Sequence, residues 1–326
     1  MKPAPDREFE ASDRWHSLPA GWSWREATSV AVDSKDNVYV FNRGDHPLIV
    51  FDRDGKFVRA WGEGRFNRPH GITIDRDDCL WLTDDGGHAV YKHTTDGERL
   101  LTLGTPERPT DTGVQGMDYR TIRHTAGPFH FPCNVAIASD GTIFVADGYG
   151  NARIHAFSSS GALLRSWGES GSGPGQFHIP HGIAIAPDDT IFVADRENSR
   201  LQRFDTSGRQ LAEWTDVARP CQVCIRHGKV YVAELGFRAG MWPGTSAPPD
   251  ATGGRVSIFD LNGNLLQRFG GGSIPTAPGD FFAPHDIAVD SRGDVYVAEV
   301  TMSAGGARGL VTPDCHSLQK FRLVNS

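Results

Sequence analysis

The chain has 326 residues, 22% of them charged and 38% hydrophobic, a size that suits one large domain or two ordinary ones. Its 38 glycines and 20 prolines, set beside eight Trp and 18 Phe, favour turns and strands over helices. No run of about 18 apolar residues is present, which excludes a membrane-spanning helix, and 33 Lys+Arg against 40 Asp+Glu leave a formal charge of −7, which argues against a dedicated phosphate-backbone binder.

The opening residues, Met1-Lys2-Pro3-Ala4-Pro5-Asp6-Arg7, lack the apolar stretch of a secretory signal, which predicts a cytoplasmic protein. From Ser29 onwards one phrase recurs. A weak copy, Ser29-Val30-Ala31-Val32, is followed by Pro69-His70-Gly71-Ile72-Thr73-Ile74 with Leu80-Trp81-Leu82-Thr83-Asp84. Pro132-Cys133-Asn134-Val135-Ala136-Ile137 comes next, completed by Ile143-Phe144-Val145-Ala146-Asp147. Pro180-His181-Gly182-Ile183-Ala184-Ile185 repeats it with Ile191-Phe192-Val193-Ala194-Asp195, Cys221-Gln222-Val223-Cys224-Ile225 is weak again, and Pro284-His285-Asp286-Ile287-Ala288-Val289 ends the series.

Each of the six copies, beginning near 29, 70, 134, 181, 222 and 285, reads as four short strands separated by Asp/Gly or Ser/Gly turns. Four such strands make a propeller blade, so the expectation is an all-β, six-bladed β-propeller in a single domain, 1–326. The last copy stops at Leu318–Leu323, and N-terminal residues around Asp13–Ser17 are expected to supply its outermost strand and latch the ring. Insertions at 105–128 and 236–254, rich in Gly, Pro, Thr and Ala, are expected to wall a pocket. Five cysteines form no disulfide framework; Cys221 and Cys224 lie three apart in a strand and read as buried thiols rather than a zinc pair.

Aligned on the residue before the apolar strand, the copies read Ser29, His70, Asn134, His181, Gln222 and His285. Histidine on alternate blades, roughly 120° apart, converges on the axis and predicts a tridentate metal site with an open position, zinc being the first choice for imidazole. The column after the second strand, Arg43, Asp85, Gly148, Arg196, Leu235 and Val300, shares that end of the ring, and Tyr149 follows Gly148. Two arginines can hold a carboxylate, and a tyrosine near them and a metal is expected to have its pKa lowered enough to act as a base. Asp286 stands in a column otherwise read as Val30, Gly71, Val135, Gly182 and Val223, where an acid pointing into the channel either binds a hard cation or is a hydrogen-bonded buried carboxylate.

These repeats resemble NHL repeats. Phe41-Asn42-Arg43-Gly44-Asp45-His46, Asp147-Gly148-Tyr149, Asp195-Arg196-Glu197-Asn198 and Pro284-His285-Asp286-Ile287 together resemble the peptidyl-α-hydroxyglycine α-amidating lyase family, from about Val30 to Phe321. The resemblance implies catalytic zinc on His70, His181 and His285, and structural calcium on the Val30 and Ile72 carbonyls and Asp286. It also implies Arg43, Arg196 and Tyr149 as active-site residues, acting on an N-acyl α-hydroxyglycine or similar small molecule to release an amide and glyoxylate. Ala283 and Gly150 depart from the family's animal members, which carry a methionine and a disulfide cysteine there. Another metal-dependent lyase or hydrolase on a small hydroxy-acid or ureido substrate, and a non-catalytic NHL interaction module, stay open as alternatives.

Overall fold

A computed structural model describes residues 9–12, 14–238, 241 and 252–324. Its regular structure is six four-stranded antiparallel sheets, each a blade. Blade 1 runs outwards from the axis as Ala27–Val32, Val38–Asn42, Leu48–Phe51 and Phe57–Trp61. Blades 2 to 5 repeat this order from inner strands Pro69–Ile74, Asn134–Ile137, Pro180–Ile185 and Pro220–Arg226. The inner strands pack on one another in sequence, and Pro284–Val289 of blade 6 closes the circle against Ala27–Val32.

Burial follows position in the blade. Second strands such as Ile143–Asp147 and Ile191–Asp195 are buried throughout, because both faces of a central strand pack against neighbouring blades. Their aromatic and β-branched residues fill that space: Phe144, Ile154, Ile183, Val193 and Phe204 lie in one core cluster between blades 3 and 4. Outer strands such as Leu163–Trp167 are exposed over most of their length. Hairpins between third and fourth strands use Gly at positive φ; at Gly55 (φ 85°) a Cβ would fall 1.6 Å from the Trp15 carbonyl oxygen, so no other residue fits.

The ring is latched by Phe9–Ser12, which pairs with Leu318–Leu323 so that Phe9 faces Leu323 and Ser12 faces Lys320. This corrects the expected latch at Asp13–Ser17; Asp13 lies outside the described residues, and Arg14–Ser17 form a bend instead. The physical reason is aromatic packing. Phe9 buries against Phe269 at 5.5 Å, whereas Trp15 and His16 turn away to cover Phe51 of blade 1 at 5.8 and 5.3 Å between ring centroids. No helix among the described residues is long and apolar enough to cross a membrane.

Candidate active site

Inner strands of five blades start with a bulge that leaves one residue outside the ladder. In blades 2, 4 and 6 that residue is His70, His181 or His285. Beyond it, Ser29, Gly71, Asn134, Gly182, Gln222 and Asp286 pair with equivalent second-strand positions, from Phe41 through to Ala298. The residues alternating with the histidines are therefore Thr28, Cys133 and Cys221, one position before the predicted Ser29, Asn134 and Gln222. Asp286 likewise belongs with Ser29, Asn134 and Gln222, not with Val30, Val135 and Val223. Counting back one place from the first apolar residue lands on Ser29, Asn134 and Gln222, one position past the level of the histidines.

This phase explains how the imidazoles are held. His70 Nδ1 donates to the Cys133 carbonyl at 2.8 Å, His181 Nδ1 to the Cys221 carbonyl at 2.8 Å, and His285 Nδ1 to the Thr28 carbonyl at 2.6 Å. Each ring is thus oriented by the blade that follows, and each Nε2 keeps its lone pair. The three ring centroids lie 4.6 to 4.8 Å apart. An acid ending the second strand braces each approach: Asp84 accepts from the Asn67 and Arg68 N–H groups, Asp195 from that of His178, and Glu299 from those of Phe282 and Ala283.

Tyr149, expected beside the histidines, lies 3.2 Å by its Oη from His70 Nε2 and 3.0 Å from His181 Nε2. Arg196 Nη1 donates to the same Oη at 3.1 Å, and its guanidinium lies 5.1 Å from the tyrosine ring centroid. Arg43 reaches the same cavity, held by Glu26 at 2.9 Å and the Pro69 carbonyl at 3.0 Å. The cavity has a volume of about 180 Å³, and Met117, Leu235, Met241, Val300 and Ala304 form its apolar wall. Met117 confirms the 105–128 insertion as part of that wall; of the other insertion, Met241 lines the cavity and most residues lie outside those described.

Burial, assisted by mutual repulsion and nearby arginines, lowers all three histidines, His285 to about 3, so all are neutral at pH 7. Burial also pushes Tyr149 up to about 12 against the opposing pull of Arg196, so among these residues alone it is a neutral phenol. Its single proton cannot satisfy two Nε2 acceptors, and a cation satisfies such a set of lone pairs. Cys133 overlaps this centre, since the donor atoms of His70, Cys133 and His181 all lie within 4.8 Å of one another. Burial raises the Cys133 thiol, and its Sγ is turned to the Phe131 carbonyl at 3.7 Å, so the three neutral imidazoles are the better donor set. These residues fit a metal.

Farther along the channel, Asp286 lines a second cavity with Val30 and Ile72. It is fully buried, accepts from the Ser29 hydroxyl and from the Ile287 N–H at 2.6 Å, and burial raises its pKa well above the usual range.

The sequence columns missed Arg68, Arg219, Glu26 and Glu197, and gave Asp85 no role. Arg219 and Arg196 share Glu197 at 2.8 Å each. Arg68 and Arg43 share Asp85, at 2.7 and 3.9 Å. Asp85 lies 4.0 Å from His70 Nε2, and burial pushes it up to about 6 against the pull of both arginines. The available signal was local: Arg68 and Arg219 stand directly before the Pro that opens an inner strand, and Glu197 follows Arg196.

Residues 177–204 match the NHL repeat model. Peptidyl-glycine alpha-amidating monooxygenase B of Xenopus laevis is 32% identical over 320 residues, covering 86% of this chain and 33% of its own. Peptidyl-alpha-hydroxyglycine alpha-amidating lyase 1 of Drosophila melanogaster is 36% identical over 126 residues, 38% of this chain and 21% of its own. NHL repeat-containing protein 3 of Homo sapiens is 31% identical over 288 residues, 83% of this chain and 76% of its own. The chain belongs to the NHL-repeat family that includes NHL repeat-containing protein 3, and it is similar to the amidating lyases. It spans about a third of the length of the Xenopus monooxygenase, 33%. Among solved structures, virginiamycin B lyase from Staphylococcus aureus aligns with a TM-score of 0.59 at 15% identity, over 97% of this chain and 100% of that one, a likeness of fold.

Proposed function

We propose that this protein is a zinc-dependent lyase that cleaves the N–C bond of an α-hydroxyglycine-type carbinolamide to an amide and glyoxylate. The observation that carries the reading is the meeting of three neutral imidazoles, the Tyr149 hydroxyl and the Arg196 guanidinium at one buried point. The lyase and monooxygenase relatives support the chemistry. A divalent cation on His70, His181 and His285 supplies Lewis-acid polarisation.

The protein's own residues do the rest. Arg43 and Arg196 orient the α-carboxylate by paired N–H donors. Tyr149 takes the proton of the α-hydroxyl as the C–N electron pair moves to nitrogen, and passes its own proton to the departing amide. The hydroxyl carbon becomes the aldehyde of glyoxylate, and no co-reactant is needed. Structural calcium on the Val30 and Ile72 carbonyls and Asp286 completes the proposal, supported by their shared cavity. The partner is a small N-acyl substrate rather than nucleic acid or membrane.

The test is glyoxylate release from α-hydroxyhippurate by zinc-loaded protein, repeated after chelation. Release that stops with chelation supports the reading; none from a folded, zinc-loaded sample refutes it in favour of another lyase or hydrolase. A second reading, a non-catalytic NHL module, draws on the human NHL repeat-containing protein 3, which this chain covers over 76% of its length. It predicts no stoichiometric metal.

A further inference from the structure

The four arginines around the cavity form two poles. Arg43 belongs to blade 1 and Arg68 to the entry of blade 2, and both lie against the Asp85 carboxylate. Arg196 follows the second strand of blade 4, Arg219 opens blade 5, and both are tied to Glu197. Blades 1 and 2 stand opposite blades 4 and 5 in a six-membered ring, so the pairs face each other across the axis. Between them runs a line of contacts from Arg196 through Tyr149 and His70 to Asp85.

All the carboxylates sit behind the guanidinium groups. Among the described residues lining the cavity there is no Asp or Glu, while Arg43, Arg68, Arg196 and Arg219 all reach it. The acids tied to them are Glu26, Asp85 and Glu197, three carboxylates for four guanidinium groups. The proposed reaction places one substrate carboxylate on Arg43 and Arg196. That leaves Arg219, held by Glu197 and the Gly236 carbonyl, and Arg68, whose Nη1 is held by Asp85 at 2.7 Å and lies 3.0 Å from Met117 Sδ. Its Nε and Nη2 hold no partner among the described residues, and its side chain is 32% exposed, enough to meet a ligand. A guanidinium anchored at one nitrogen has lost most of its rotamer freedom and presents its remaining N–H groups at a fixed angle.

We propose that Arg68 is a specificity-determining residue that binds a second carboxylate, carried on the acyl group of the departing amide, so that the substrate is a dianionic N-acyl α-hydroxyglycine. This rests on the lyase reading. Asp85 is the positioning residue that sets the Arg68 fork, and the apolar wall of Leu235, Val300 and Ala304 covers the carbon chain between the two carboxylates.

The experiment compares kcat/KM for glyoxylate release from benzoyl- and 3-carboxybenzoyl-α-hydroxyglycine, using zinc-loaded wild type, R68M, R68K and the double variant R68M/D85N. The double variant also removes the buried acid that R68M alone would leave with only the more distant Arg43, at 3.9 Å. Wild type prefers the carboxylated substrate by about 10- to 100-fold, as a charge-assisted hydrogen bond provides. That preference vanishes in R68M and R68M/D85N and is partly kept in R68K. Equal losses on both substrates, or no preference in wild type, overturn the inference.

Calorimetric titration with glutarate and butyrate separates this failure from that of the lyase reading. Tighter glutarate binding that disappears in R68M, with no turnover of either substrate, keeps the Arg68 carboxylate site and removes the lyase. Turnover with equal binding of the two acids keeps the lyase and removes the role of Arg68.

Discussion

The Tyr149 hydroxyl bridges His70 and His181, lying 3.2 and 3.0 Å from their Nε2 atoms, on the side of the centre where Arg196 also donates. The phenol therefore borders the histidine centre while belonging to blade 3, which contributes no histidine to it. Tyr149→Phe keeps the ring that packs on both imidazoles and removes only the oxygen. Turnover should fall by about 10²- to 10⁴-fold, the range for a lost proton-transfer group, with zinc content measured by atomic absorption unchanged. Loss of zinc from the variant would mean that the phenol holds the centre together and does not relay a proton.

Two overlapping donor sets, His70/His181/His285 and His70/Cys133/His181, make opposite predictions. With the imidazoles as ligands, His285→Ala lowers zinc affinity on the order of 100-fold or more, beyond the cost of losing an outer hydrogen bond, while Cys133→Ser leaves it nearly unchanged. Competition against a chromophoric chelator reads both. A large loss in Cys133→Ser with little change in His285→Ala would reassign the site.

The histidine column was legible because one imidazole recurs at the same place in alternate repeats, and the blades because a buried second strand such as Ile191–Asp195 carries one unbroken apolar signature. The phase of the other three blades was not, since Ser29, Asn134 and Gln222 stand directly before the apolar run; only the ladder puts Thr28, Cys133 and Cys221 in line with the histidines. Arg68, Arg219 and Glu197 were also hidden. Their roles come from pairs that the fold assembles, Arg219 with Glu197 across 22 residues and Arg68 with Asp85 across 17.

The latch strand gives a stability test. Phe9 is 8% exposed and packs with Phe269 and Phe321, so Phe9→Ala should cost about 3 kcal/mol and lower the thermal midpoint by several degrees. Next to it, Glu10 pairs with Arg322 at 3.1 Å in the open, and Glu10→Ala should cost less than about 1 kcal/mol. Calorimetric melts of the two variants decide whether the ring is held by apolar packing or by the edge ion pair.

His16 adds a pH dependence to the same closure. Its Nε2 accepts the Trp24 indole N–H at 3.0 Å, its ring packs on Phe51, and burial lowers its pKa from 6.5 to about 4. The folded chain thus keeps His16 neutral where the unfolded chain protonates it, so its stabilising contribution is complete above pH 6.5 and is lost as pH falls towards 4. The loss is at most about 3 kcal/mol, less with solvent screening, and levels off below pH 4. His16→Gln retains an acceptor for Trp24 without a titrating group. Urea melts between pH 4 and 8 should show a shallower slope of stability against pH in this variant than in wild type; identical slopes would place the acid sensitivity in other groups, such as His93, whose pKa burial also lowers to about 4.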